Sequence, residues 1–161
     1  MVRLTGKVLA LALISMTAVV GCSKKEETKP VQPEPSGQVV KKETTVAVPA
    51  SVKGKWKAVK IGVTDKSANK EMVYTVEIGS RFKVPNSDLS IKVENFLPHF
   101  VMDGTTLTSQ SNEPKNPAVQ IRVYEESKEI FKGWLFTLYP TTHAFQHPRY
   151  GFSLVDYIPA K

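Results

Sequence analysis

Val59-Lys60-Ile61-Gly62-Val63 places an apolar side chain at every second position, and this period recurs through the rest of the chain. Met72, Tyr74, Val76 and Ile78 alternate with Val73, Thr75 and Glu77; Leu89, Ile91 and Val93 with Ser90, Lys92 and Glu94; Val119, Ile121 and Val123 with Gln120, Arg122 and Tyr124. Successive side chains of a strand point to opposite faces, so each run predicts a strand with one buried face. Asp103-Gly104 predicts a tight type I′ turn between Phe100-Val101-Met102 and Thr105-Thr106-Leu107, because that turn needs positive φ at both central positions. Glu125 to Lys128 predicts a polar turn into the next strand. With no sustained helical period and no internal repeat, the expected class is all-β: a β-sandwich or small open barrel of seven to eight short antiparallel strands.

One run departs from simple alternation. Between Ile130 and Tyr139 the even face carries Ile130, Trp134 and Phe136 while the odd face carries Phe131 and Leu135. Apolar residues on both faces predict a central strand covered on both sides, with Trp134 as its largest core residue. Gly133 inside it predicts a bulge or a close backbone approach. After Pro140 the chain runs irregularly through Thr141 to Arg149 and ends on Phe152, Leu154 and Ile158 set against Ser153, Val155 and Tyr157. The Gly133-Trp134-Leu135-Phe136 strand, then His147-Pro148-Arg149-Tyr150, then Leu154-Val155-Asp156, resembles domain-of-unknown-function family 2155 over roughly Val59 to Ile158. That resemblance implies an exported bacterial β domain and brings no activity, ligand or catalytic residue.

The N-terminus supplies an address. Arg3 and Lys7 precede an apolar run from Val8 to Val20 of about 13 residues, the proportions of a secretory leader over residues 1–21. A spanning helix needs roughly 20 apolar residues, so the run is too short to cross a bilayer. Val19-Val20-Gly21-Cys22 resembles the bacterial lipobox, with valine in place of its usual leucine and of its usual small residue. Cleavage after Gly21 would leave the Cys22 thiol as the acyl acceptor, and Ser23 rather than aspartate beside it favours the outer membrane. Residues 22–50, with Pro30, Pro33, Pro35, Gly37 and Pro49 among Lys, Glu, Thr and Gln, predict a flexible linker with ends roughly 30 Å apart. Residues 51–161 then form one β domain, the size of a single core. Cys22 is the only cysteine, so the fold must stand on that core without a disulfide.

A formal net charge of +7 over 161 residues suggests an anionic partner until the charges are located. Two of the cations leave with the leader, and Ser23 to Lys55 holds seven lysines against four glutamates. Beyond Lys55 there remain 13 basic and 11 acidic residues, so composition reveals no basic face and nucleic acid is not an expected partner.

Candidate sites are few. His143 and His147 stand four apart, and with His99 and Met102 they form an alternative metal set suited to a soft ion such as copper. Pro148 argues against the helix that would align the two imidazoles, and a carboxylate partner is missing, so no metal and no cofactor is expected. No nucleophile elbow occurs, serines such as Ser80, Ser87 and Ser109 sit in turn chemistry, and Glu125 and Glu126 form a polar hairpin tip; an enzyme is not expected. Trp134, Tyr139, His143, Phe145, His147, Arg149 and Tyr150 crowd aromatic and cationic side chains into one region, a composition typical of binding hot spots. The connection from Tyr139 to Tyr150 also suits an aromatic lid over the open end of the sandwich. The segment Thr108 to Pro117 predicts a mobile polar loop. The expected role is a lipid-anchored periplasmic module, non-catalytic, that binds or assembles with another envelope protein; the alternative is a metal or redox-cofactor carrier.

Overall fold

The computed structural model describes residues 43–161. The leader, its cleavage after Gly21, the acyl acceptor Cys22 and most of the linker lie outside the described residues. The fold is all-β: among the described residues there are ten strands, and no helix is long and apolar enough to cross a membrane. They are β1 (Thr45–Val46), β2 (Trp56–Asp65), β3 (Lys70–Glu77), β4 (Arg81–Lys83), β5 (Leu89–Leu97), β6 (Phe100–Asp103), β7 (Thr106–Ser109), β8 (Ala118–Glu125), β9 (Lys128–Phe136) and β10 (Tyr150–Pro159).

The expected seven or eight strands fall short by the two shortest. β4 has one apolar residue, Phe82, between two cations, and β1 is two residues inside the proline-rich stretch, so neither displays a period. β1 pairs in parallel with β7, which also corrects the all-antiparallel expectation. Thr45 N–H donates to Thr105 O at 3.0 Å and Ala47 N–H to Leu107 O at 2.9 Å, so the folded domain reaches back past Ser51 into the stretch expected to be linker.

Two sheets make the sandwich: β10-β2-β3, and β4-β5-β8-β9. Between them the inward faces of β2, β5 and β8 interdigitate, with Ile61, Ile91, Val93, Ile121 and Val123 fully buried. The third sheet, β1-β7-β6, lies against the opposite face of the four-stranded sheet. There Leu97, Leu107, Ala118, Trp134 and Phe136 form a second, smaller core closed by Val46, Val48 and Phe100. The four-stranded sheet is therefore a middle layer, apolar on one face throughout and on the other only where the small sheet covers it.

This layering corrects the reading of β9. It is covered on both faces, Leu135 and Phe131 in the main core and Trp134 and Phe136 in the small one, yet it is an edge strand paired only to β8. Coverage on two faces and centrality in a sheet leave the same sequence pattern, because the pattern records faces and not edges. The β8–β9 ladder slips between Val123 and Tyr124, which turns Ile130 to the main core beside Phe131 rather than to the Trp134 face. Gly133 stays in register opposite Ile121 and is no bulge; it is a close approach, since a Cβ there would stand 2.4 Å from the Phe131 ring. In β10 a slip at Val155 leaves that residue 45% exposed and turns Tyr157 toward the main core.

Two loops also differ from expectation. The β6–β7 turn has Gly104 and Thr105 as its central pair, with positive φ only at Gly104 (58°), the pattern of a type II′ turn with glycine first. The Thr108–Pro117 segment is tied down: Trp56 Nε1 donates to Asn112 Oδ1 at 2.8 Å, Ser109 Oγ to Ser111 O at 2.8 Å and Asn116 Nδ2 to Phe100 O at 3.1 Å. Polar composition reads as mobility only until those groups find partners.

Candidate functional site

After β9 the chain exposes Leu138 and Tyr139, turns through a Thr142 N–H to Tyr139 O bond, and doubles back along β9. Phe131, Lys132, Gly133 and Trp134 are consecutive, so they point to alternate faces, yet all line one groove of about 580 Å³. With β8 on one side of β9, a groove reaching both parities must run along the unpaired edge. Its walls are Phe100, Met102 and Leu107 of the small sheet on one side and Thr142, His143 and Ala144 on the other, with Thr44 at one margin. Among the described residues no strand pairs with that edge. The volume lies within the range of small-ligand sites, and the lining is mainly apolar with a lysine, two threonines and a histidine.

The structure divides the stretch of chain that sequence reasoning singled out. Trp134 is buried in the small core and forms part of the groove. Tyr139 is 57% exposed, and His143 is exposed with φ of 50°, a left-handed conformation that histidine adopts at a cost. The rest is the aromatic lid. Phe145 is buried between the sheets, stacked on Phe152 with centroids 5.0 Å apart and edge-on to Phe131. His147 stacks between Phe145 and Tyr150, and its Nδ1 accepts from the Arg149 and Tyr150 backbone N–H groups at 3.2 and 3.0 Å, which fixes its proton on Nε2. Tyr150 is buried with its hydroxyl donating to Asn86 O at 3.2 Å.

Arg149 lies over the Tyr150 ring and grips Asp65 with two nitrogens, its Nη2 2.8 Å from Oδ2. That contact, followed by bonds from Ser67, holds the Asp65 carboxyl far below the usual carboxylate range. Asp156, across from Lys60 in the β10–β2 ladder, is likewise held low by the Lys60 ammonium 2.8 Å away.

The proposed metal ligands are not brought together. His99 Nδ1 is 3.2 Å from Ser111 Oγ, His147 is locked in the lid, and only Met102 and His143 share the groove. Among the described residues no group of three His, Cys, Asp or Glu side chains is placed to hold a metal ion.

Sequence reasoning missed a feature that only register creates. Arg81 stands opposite Lys92, Lys92 opposite Arg122, and Arg122 opposite Lys132, so one row of four cations crosses all four strands on the outer face of the middle sheet. Glu94 and Glu129 reach Arg122 at 2.7 and 2.8 Å, Glu94 stands 3.5 Å from Lys92, and Arg81 stacks on Tyr124 at 4.1 Å. That composition reveals no basic face was read from net charge, which cannot see alignment; the one sequence signal was Lys132 inside the largely apolar run Ile130–Phe136.

No curated protein and no solved structure matches this chain. Residues 59–156 match the family described as an uncharacterized protein conserved in bacteria, DUF2155, a span from the middle of β2 to Asp156 in β10 that takes in the groove floor, the lid and the whole cation row. The description assigns the family no activity, and on this match over more than half its length the chain belongs to the DUF2155 family.

Proposed function

We propose that this protein is a lipid-anchored envelope protein, held at the periplasmic face of the outer membrane through Cys22, whose β domain is a non-catalytic binding module for another envelope protein. The groove along the free edge of β9 carries this reading. An edge strand offers unpaired backbone N–H and C=O groups, and an extended segment of a partner completes them by adding as a fifth strand. This edge has walls. Phe100, Met102 and Leu107 on one side and Thr142 to Ala144 on the other supply side-chain pockets that give such a strand register and specificity. Anchoring follows from the leader and Cys22, and the residues before Thr45 serve as the tether that lets the groove reach its partner.

Two measurements test the halves separately. Radiolabelled fatty acid should appear on the wild-type chain and vanish from Cys22→Ser; label persisting on the variant contradicts the anchor. A photoreactive amino acid placed at Met102 in the groove should crosslink to one defined envelope protein, while the same group at Val73, 51% exposed on β3, should not. Equal yields from both positions contradict the site.

A further inference from the structure

The cation row ends at the groove. Lys132 is its outermost member, exposed on the free edge of β9, and it lines the groove on the same face as Trp134 and Phe136. Like charges directly opposite one another across strands are destabilising, and this row contains three such juxtapositions in succession. Its close ion pairs lie in the interior: Arg122 contacts both nearby carboxylates, Glu94 and Glu129. Among the described residues Lys132 makes no salt bridge, its charge acting on Glu129 only at longer range, and Arg122 stands opposite it across the ladder. Lys132 thus brings a positive charge to the lining of the groove, beside the edge where a further strand would lie.

If the β9 groove takes an extended segment, as proposed above, we infer that this segment is acidic at one position and apolar at the two alternate positions beside it, the acidic side chain sitting opposite Lys132. A strand adding to β9 places residues two apart opposite Lys132, Trp134 and Phe136 on one face. The first meets the end of a basic row. The next two meet Trp134, Phe136, Phe100 and Leu107, an apolar wall. The recognised pattern is acidic-x-apolar-x-apolar for a parallel strand, and its reverse for an antiparallel one. On the other face Phe131 lies over Gly133, which leaves a shallow surface and little selection for the intervening residues.

The probes are two fluorescein-labelled peptides, Thr-Asp-Thr-Val-Thr-Leu-Thr and its reversed sequence, each with an Asp→Lys counterpart, titrated by anisotropy against the full chain and against Lys132→Glu. Lys132 is exposed, so the variant keeps the fold. One of the two aspartate peptides should bind at least about tenfold more tightly than its lysine counterpart, a factor worth about 1.4 kcal/mol. Lys132→Glu should reverse that order, and the preference should shrink as salt is raised. Equal affinity of the aspartate and lysine forms, a preference that Lys132→Glu leaves unchanged, or binding of no peptide overturns the inference. In each case a specific crosslink from Met102 would still uphold the groove itself, so the two failures are told apart. Sedimentation with anionic phospholipid vesicles that Lys132→Glu abolishes, with no peptide bound, also overturns it and assigns the row to the membrane.

Discussion

The middle sheet separates two cores built on different terms. On its inner face seventeen buried residues from both sandwich sheets and the lid form a continuous interior, pinned at its rim by the Arg149–Asp65 pair and the Tyr150–Asn86 bond. On its outer face five buried residues under a three-stranded flap form a small core that opens directly into the β9 groove. Each core has one tryptophan packed in or against it: Trp56 packs on Phe96 and Tyr157 in the first, Trp134 on Phe100 in the second. The inner core makes the domain fold, and the outer core shapes an opening. A residue's burial alone does not tell which of these tasks it serves.

The largest expected effect lies in the inner core. Phe152→Ala removes a ring stacked on Phe145 and should lower unfolding stability by about 3–5 kcal/mol in a denaturant titration. That is a large share of the roughly 5–15 kcal/mol typical of a domain. Trp134→Ala should cost less, about 2–3 kcal/mol, because the space it leaves adjoins the open groove and water or neighbouring side chains can enter it. An equal or larger loss for Trp134→Ala would make the small core part of the folding unit and erase the distinction drawn here.

A smaller effect separates the rims. Asp65, with a depressed folded pKa, contributes stability that is fully present above its unfolded value of about 4 and is lost as pH falls through the lower folded value. Arg149→Ala should therefore lower the thermal midpoint at neutral pH, and the gap to wild type should close progressively below about pH 4. A gap of constant size down to strong acid would show that Arg149 acts through its packing on Tyr150 rather than through the ion pair.

The class of fold was legible because alternation survives in the sequence of β2, β5 and β8, whose inward faces are buried along their length. Gln120 shows where legibility ended. It reads as a solvent-facing residue and is buried, paired through its amide with Asn95 at 2.7 Å, because the small sheet lies over that end of β8. The sheet that buries it begins in a two-residue strand with no period of its own. In the candidate site, Trp134, Tyr139 and the aromatic lid stood out by composition. Lys132 and its three cross-strand neighbours did not, since they are far apart in sequence and meet only through register. Met102 was legible as a possible ligand but not as a groove wall, for the same reason.

The free edge of β9 is the claim on which the rest depends, and residue-by-residue amide hydrogen exchange measures it directly. In the unliganded full chain, amides of β9 that point to β8 should exchange slowly and the alternate set that points into the groove should exchange fast. Addition of the peptide that binds should slow the second set and leave the first unchanged. Uniform protection along Lys128–Phe136 in the free protein would mean that the edge is already paired, and would contradict the account.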